Sequence, residues 1–226
     1  MTRNTQPAVI VFDVNETLSD LGPLEQRFAE VGAPEHLATL WFTSVLRDGF
    51  ALAAAGSGQT FGDIAAALLR VMLPEPDLHR SLPDAVAYVM EGFGQLGVHP
   101  DVVEGVAALA DAGMRVVTLG NGAAAVAERL LVNTGIADTF ERFLSVEDAG
   151  VWKPAAAAYR YALDQCGVQA QEAMMVAVHP WDVDGAHRAG LRTAWINREG
   201  GSYPAHLTPA DTVASSILSL AGQFRP

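Results

Sequence analysis

The feature that most constrains this chain is a continuous apolar run, residues 8–12 (Ala-Val-Ile-Val-Phe), that stops at a carboxylate, Asp13. A strand with one face in water alternates apolar and polar residues. A run without alternation suits a strand buried on both faces, as in a parallel sheet covered by helices. Similar short runs recur at residues 115–119, 143–146, 173–178 and 193–196. Between and after them, apolar residues recur at helical spacing: Val102, Val106 and Leu109; Val126 and Leu130; Val213, Ile217 and Leu220. Strands alternating with helices require crossover connections. The expectation is therefore an α/β fold with a Rossmann-like, doubly wound parallel sheet.

Residues 19–97 break that rhythm. They read as helices only, at 24–31, 36–54, 61–72 and 84–96. Breakers separate them: Gly32 with Pro34, the Gly56-Ser57-Gly58 stretch, and Pro74 with Pro76 and Pro83. The expected organisation is a core of residues 1–18 and 98–226, with an inserted all-helical cap at 19–97.

In open parallel sheets, ligands bind beyond the carboxyl ends of the strands. The residues that follow the apolar runs are Asp13, Asn121, Lys153, and His179 with Asp182. Topology alone would gather these carboxylates and this lysine at one edge.

Composition narrows the partners. Half of the residues are hydrophobic and 18% are charged, which suits a globular chain with a good core. A net charge of -12 repels phosphate backbones, so nucleic acid is not an expected partner. The polar start, Met1 to Pro7, and the short run after it match neither a signal peptide nor a membrane span, so a cytoplasmic location is expected. The lone cysteine, Cys166, lies in an apolar helical pattern and reads as a small core residue. His36, His79, His99, His187 and His206 are scattered without metal-ligand spacing.

Four segments carry a resemblance. Val11-Phe12-Asp13-Val14-Asn15-Glu16-Thr17-Leu18 places an aspartate at the end of an apolar strand and a threonine four residues later. Leu119-Gly120-Asn121-Gly122 follows the second run. Trp152-Lys153-Pro154 with Tyr159 follows the third. Val178-His179-Pro180-Trp181-Asp182, with Gly185-Ala186 and then 194–198 (Ala-Trp-Ile-Asn-Arg), closes the set. In order and spacing these resemble the motifs of the haloacid dehalogenase superfamily, in its 2-haloacid dehalogenase branch. The helical insertion is similar to that family's cap.

The resemblance implies that Asp13 is a covalent nucleophile, with Thr17 and Lys153 beside it. A carboxylate nucleophile divides one hard displacement into two easier steps. The Lys153 ammonium would hold Asp13 ionised. Asn15 bears on the subclass. Superfamily phosphatases carry an aspartate there to protonate the leaving alkoxide, and an asparagine cannot be a general acid. A departing halide needs no such proton. Gly120 points the same way, because phosphatases place a hydroxyl residue there to hold the phosphoryl group; Thr118 lies deeper in the strand.

The substrate contacts differ from those of the 2-haloacid dehalogenases. Those enzymes carry a cap arginine after a Leu-Trp pair, whereas Leu40-Trp41 is followed here by Phe42. They have tyrosine at Asn15, serine at Gly120, serine at Ala177 and asparagine at His179. Asn121, Tyr159 and Trp181 match their substrate-side positions. Arg47 is either a displaced substrate arginine or a surface residue beside Asp48. Phe42 either narrows the pocket or joins the cap core. His179 and Asp182 are both candidates to activate the hydrolytic water.

The leading expectation is a hydrolase that cleaves the carbon–halogen bond of a small 2-haloacid through an ester on Asp13. It needs no cofactor, and its site lies between cap and core. One alternative is a Mg²⁺-dependent phosphatase, with Asp13 and Asp182 as metal ligands. Another is a catalytically silent binding protein on the same fold. The only partner expected is the small-molecule substrate, with no membrane; the resemblance also admits a homodimer.

Overall fold

The computed structural model describes residues 6–224; residues 1–5, the beginning of the polar start, lie outside them. The chain divides into two compact units. One joins the chain up to Ser19 with the chain from Val98 onward, and the other is Asp20–Gly97. Ser19, placed in the insertion by sequence, is tied to the first unit by backbone bridges to Asn15 and Val98.

The first unit is built on six parallel strands: β1 (Val9–Phe12), β2 (Arg115–Gly120), β3 (Arg142–Ser145), β4 (Ala173–Ala177), β5 (Arg192–Ile196) and β6 (Thr212–Ala214). Their order across the sheet is β3-β2-β1-β4-β5-β6. The chain moves outward from β1 to β3, then returns to the other side of β1 with β4. The carboxyl ends of β1 and β4 therefore flank the point where strand order reverses, where an open α/β sheet leaves a crevice for ligands.

The absence of alternation in β1 has the predicted cause: all four residues are buried. Ile10 and Phe12 pack on one face against Val102, Val106, Ile217 and Leu220. Val9 and Val11 pack on the other against Tyr159, Ala162, Val183 and Ala186. The first face is covered by α5 (Val102–Asp111), α6 (Ala124–Asn133) and α10 (Ile217–Gly222). The second is covered by α8 (Ala156–Cys166), which follows the one-turn α7 (Val146–Ala149), and by α9 (Pro180–Arg188). Cys166 sits in this second layer, as expected.

One element differs from the sequence reading. Val213, assigned to a helical stripe with Ile217 and Leu220, lies on β6, pairs with Trp195 and is exposed. The helix begins only at Ile217, where Ser216 and Ser219 cap its first turn reciprocally.

The second unit contains α1 (Pro23–Glu30), α2 (Leu37–Ala54), α3 (Phe61–Met72) and α4 (Leu82–Gly94). An aromatic chain fixes their packing. Phe28 lies 6.0 Å from Trp41, Trp41 meets Phe93 edge-on at 5.7 Å, and Phe93 stacks on Phe61 at 5.3 Å. Such pairs contribute about 0.5–1.5 kcal/mol each beyond their buried area. Trp41 is buried with its indole N–H satisfied by the Ala65 carbonyl at 2.9 Å. Phe42 joins this packing, 6.1 Å from Phe61, so its ring is a core element of the unit. Among the described residues, no helix is long and apolar enough to cross a membrane.

Candidate active site

Asp13 follows the last residue of β1, and its backbone N–H is fixed by the Val176 carbonyl of β4. The side chain is buried and accepts three hydrogen bonds. Lys153 Nζ donates to Oδ1 at 2.9 Å, Thr17 Oγ1 donates to Oδ2 at 2.8 Å, and His179 Nδ1 lies 3.0 Å from Oδ2. Burial alone would raise the pKa of Asp13. The Lys153 charge, followed by the His179 hydrogen bond and charge, outweighs it and holds the carboxyl well below the usual carboxylate range. Asp13 is an anion at any working pH.

Thr17 is held in turn, because its hydroxyl accepts from the Val178 N–H at 3.1 Å. One small residue thus ties the Asp13 carboxylate to the end of β4. The Thr17 carbonyl accepts from Arg198 at 2.9 Å, and Arg198 is ion-paired with Asp101. This brace behind the loop was not singled out from sequence.

Lys153 is wholly buried and lies between two carboxylates, Asp13 at 2.9 Å and Asp182 at 2.5 Å. Burial works against its charge, but the two anions raise its pKa. Lys153 lies in the loop before α8, which starts at Ala156 after the Ala155 cap. Lys153 is positioned by Asn121. The Asn121 side-chain oxygen accepts from the Lys153 N–H at 3.0 Å, and its amide donates to the Lys153 carbonyl at 3.4 Å. Asn121, expected on the substrate side, is used here to hold a loop.

Tyr159 shows a similar change of partner. Its hydroxyl donates to Asp182 Oδ1 at 2.7 Å and lies 3.1 Å from the Asp182 carbonyl, so it orients the second carboxylate. The approach is close enough to require glycine at position 185, where a β-carbon would sit 2.6 Å from the Tyr159 hydroxyl. Asp182 is wholly buried in the first turn of α9, where the helix dipole favours a carboxylate. Burial nevertheless raises its pKa, and Lys153 offsets that only in part.

His179 is the residue just before α9, and its side chain turns to the carboxylates rather than capping the helix. Its Nδ1 faces Asp13, and its Nε2 lies 2.7 Å from Glu16 Oε2. Burial disfavours its charge, but hydrogen bonds to Asp13 and Glu16 prevail and push its pKa up to about 9. Trp181 packs beside this ring, 5.1 Å between centroids, and lies under the Lys153 ammonium at 5.9 Å. Glu16 was missed by sequence reasoning. Its only signal was its place three residues after Asp13, and nothing in the spacing showed that it reaches His179.

Gly120 ends β2, where a β-carbon would approach Val14 Cγ2 to 3.3 Å. A larger residue there would press on Val14. Asn15 is half-buried in the turn after Asp13. Arg47 lies on α2 of the helical unit, exposed and ion-paired with Asp48 at 2.8 Å. Among the described residues, no group of three or more His, Cys, Asp or Glu is arranged to hold a metal ion.

Comparison with known proteins agrees with this geometry. Residues 7–190 match the family model described as haloacid dehalogenase-like hydrolase. The chain is 27% identical to haloacetate dehalogenase H-2 of Moraxella sp. (strain B), covering 86% of this chain and 87% of that one. It is 28% identical to (S)-2-haloacid dehalogenase 4A of Burkholderia cepacia, covering 93% and 91%. A solved dehalogenase structure superposes with a TM-score of 0.90 at 26% identity over 98% of each chain.

Proposed function

The chain belongs to the haloacid dehalogenase-like hydrolase family, and from that premise we propose that it hydrolyses the carbon–halogen bond of a small 2-haloacid through an ester on Asp13. The observation that carries this reading is the state of Asp13: ionised, buried and held by Lys153, Thr17 and His179. Relatives named haloacetate dehalogenase and (S)-2-haloacid dehalogenase indicate the substrate class.

In the first step an Asp13 oxygen attacks the carbon that bears the halogen, and halide leaves with the bonding pair. A carboxylate has about four lone-pair directions. Oδ2 accepts from Thr17 and His179, whereas Oδ1 accepts from Lys153, which leaves Oδ1 a direction for attack. In the second step water attacks the Asp13 acyl carbon, and the hydroxy acid leaves. Asp182 already accepts from Lys153 and Tyr159, so His179 is the better placed base.

Asn15 and Gly120 favour this reading over phosphoryl transfer, since neither supplies the acid or the phosphoryl-holding hydroxyl. All four oxygens of Asp13 and Asp182 also accept from protein donors, two of them from the Lys153 cation. The chemistry needs no metal, because no phosphoryl charge is to be neutralised.

The test is halide release from haloacetate and (S)-2-chloropropionate, beside phosphate release from small phosphate esters, each with Mg²⁺ and with EDTA. Halide release unchanged by EDTA is expected, falling on the order of 10⁴-fold or more in Asp13→Asn. Mg²⁺-dependent phosphate release without halide release would overturn the reading.

A further inference from the structure

Glu16 is the one described residue other than glycine with a positive φ, at 60°. Left-handed backbone is unfavourable for a side chain with a β-carbon, and glycine adopts it freely. Such an outlier persists where the surroundings hold it and is a pointer to function. Here the surroundings are specific. The Glu16 N–H is 3.3 Å from Ser19 Oγ, and its carbonyl lies 2.9 Å from His99 Nε2. The conformation carries the side chain to His179, where Oε2 is 2.7 Å from Nε2.

We propose that Glu16 is the positioning residue of a Glu16–His179 couple: it keeps the proton of His179 on Nε2, so that Nδ1 faces the Asp13 ester as the base for hydrolysis. This rests on the ester reading above. In a neutral imidazole one nitrogen donates and the other accepts, and a carboxylate beside one nitrogen decides which. With Glu16 on Nε2, the accepting nitrogen is the one 3.0 Å from the Asp13 carboxyl, where the hydrolytic water must lose its proton.

The couple also explains how a histidine held as a cation can serve as a base. The charged groups its ring meets include Asp13 after β1 and Glu16 in the following turn, and Lys153 is ion-paired with the same Asp13 carboxyl. Both carboxylates favour the imidazolium in the resting site. Esterification abolishes the charge on Asp13, so one of the two anions that retain the proton disappears, and His179 releases its Nδ1 proton to solvent. It then takes a proton from water as oxygen attacks the acyl carbon. The tetrahedral adduct expels the alkoxide, which His179 protonates to give the hydroxy acid. The regenerated Asp13 carboxyl returns its proton to His179. The cycle consumes one haloacid and one water, and yields one hydroxy acid, one halide and one proton. The base is thus switched on by the first half-reaction.

Two variants test this. Glu16→Gln removes the charge, and Glu16→Gly removes the side chain at a position whose backbone already suits glycine. Imidazole NMR of the free protein should show the His179 titration moved down from about 9 in both. Rapid mixing with (S)-2-chloropropionate, followed by mass spectrometry, should show normal formation of the Asp13 adduct. Its decay should be slower on the order of 10²-fold, with a one-equivalent halide burst. Decay at the wild-type rate in both variants, or an unmoved His179 titration, overturns the couple and leaves the ester intact. Halide release without any Asp13 adduct, in wild type and both variants, overturns the ester mechanism itself and the couple with it.

Discussion

Asp13 faces two unlike surroundings within the core unit. On one side lie Lys153, Asp182 and Tyr159, all wholly buried and joined by hydrogen bonds of 2.5–2.9 Å. On the other lie His179 and Glu16, with side chains 12% and 41% exposed. The first side has little water to absorb a change in charge, so it is a fixed array: each donor and acceptor has its partner, and losing one leaves another uncompensated. The second side is near solvent and can exchange a proton. A reaction with a charged nucleophile and a later proton transfer requires both. On the proposed mechanism the dry side holds the anion, and the wet side moves the proton.

The sharpest way to break the dry side is Lys153→Met, which keeps bulk and removes charge. Asp13 and Asp182 would then share a buried site with no cation between them. The pKa of at least one should rise into the neutral range, because like charges resist joint ionisation. The expected cost is about 3–5 kcal/mol of stability, with halide release lowered on the order of 10²-fold at neutral pH. Denaturant unfolding and a halide assay check both. An unchanged midpoint together with normal turnover would remove Lys153 from its role.

This contrast also divides what the sequence could tell from what it could not. Strand ends are legible because a buried parallel strand cannot hide a charge in its interior, so Asp13, Asn121 and the residues around His179 appear where the apolar runs stop. The partners are less legible. Asn121 and Tyr159 match substrate-side positions by resemblance, yet their side chains turn to the Lys153 backbone and to Asp182. That choice depends on the path of the 150–155 loop and on the space left by Gly185, neither of which has a periodic signature. Glu16 was invisible for a related reason, since a positive φ at a glutamate is opposite to what residue preference suggests. β6 was misread because three residues are too few for periodicity to separate strand from helix.

The wet side predicts a pH signature of intermediate size. The folded-state pKa of His179 is raised from the ordinary 6.5 to about 9. The stabilisation from its charged form is therefore complete below about pH 6.5 and is lost as pH rises through about 9. A shift of this size corresponds to roughly 3 kcal/mol. The melting temperature of wild type should fall between pH 6.5 and 10 relative to His179→Gln, which cannot titrate. Parallel curves for the two proteins over that range would mean that His179 is neutral in the folded state, and that the two sides of Asp13 do not differ as described.

The smallest expected effect sharpens the comparison by trimming the dry side without breaking it. Tyr159→Phe removes one hydroxyl from Asp182 Oδ1 and leaves Lys153 between the carboxylates. A buried acceptor deprived of its donor costs about 1–3 kcal/mol. The carboxyl of Asp182, already raised by burial, should rise further, because a hydrogen bond that favoured its anion is gone. Lys153 still neutralises Asp13, so formation of the Asp13 ester should slow by less than about tenfold. The decay of that ester discriminates between the two candidate bases. If water is activated on the wet side, Asp182 enters only through Lys153, and Tyr159→Phe should leave decay close to wild type. If Asp182 were the base, losing the hydroxyl that orients it should slow decay more than formation. Pre-steady-state measurement of both phases in this one variant therefore shows on which side of Asp13 the water proton leaves.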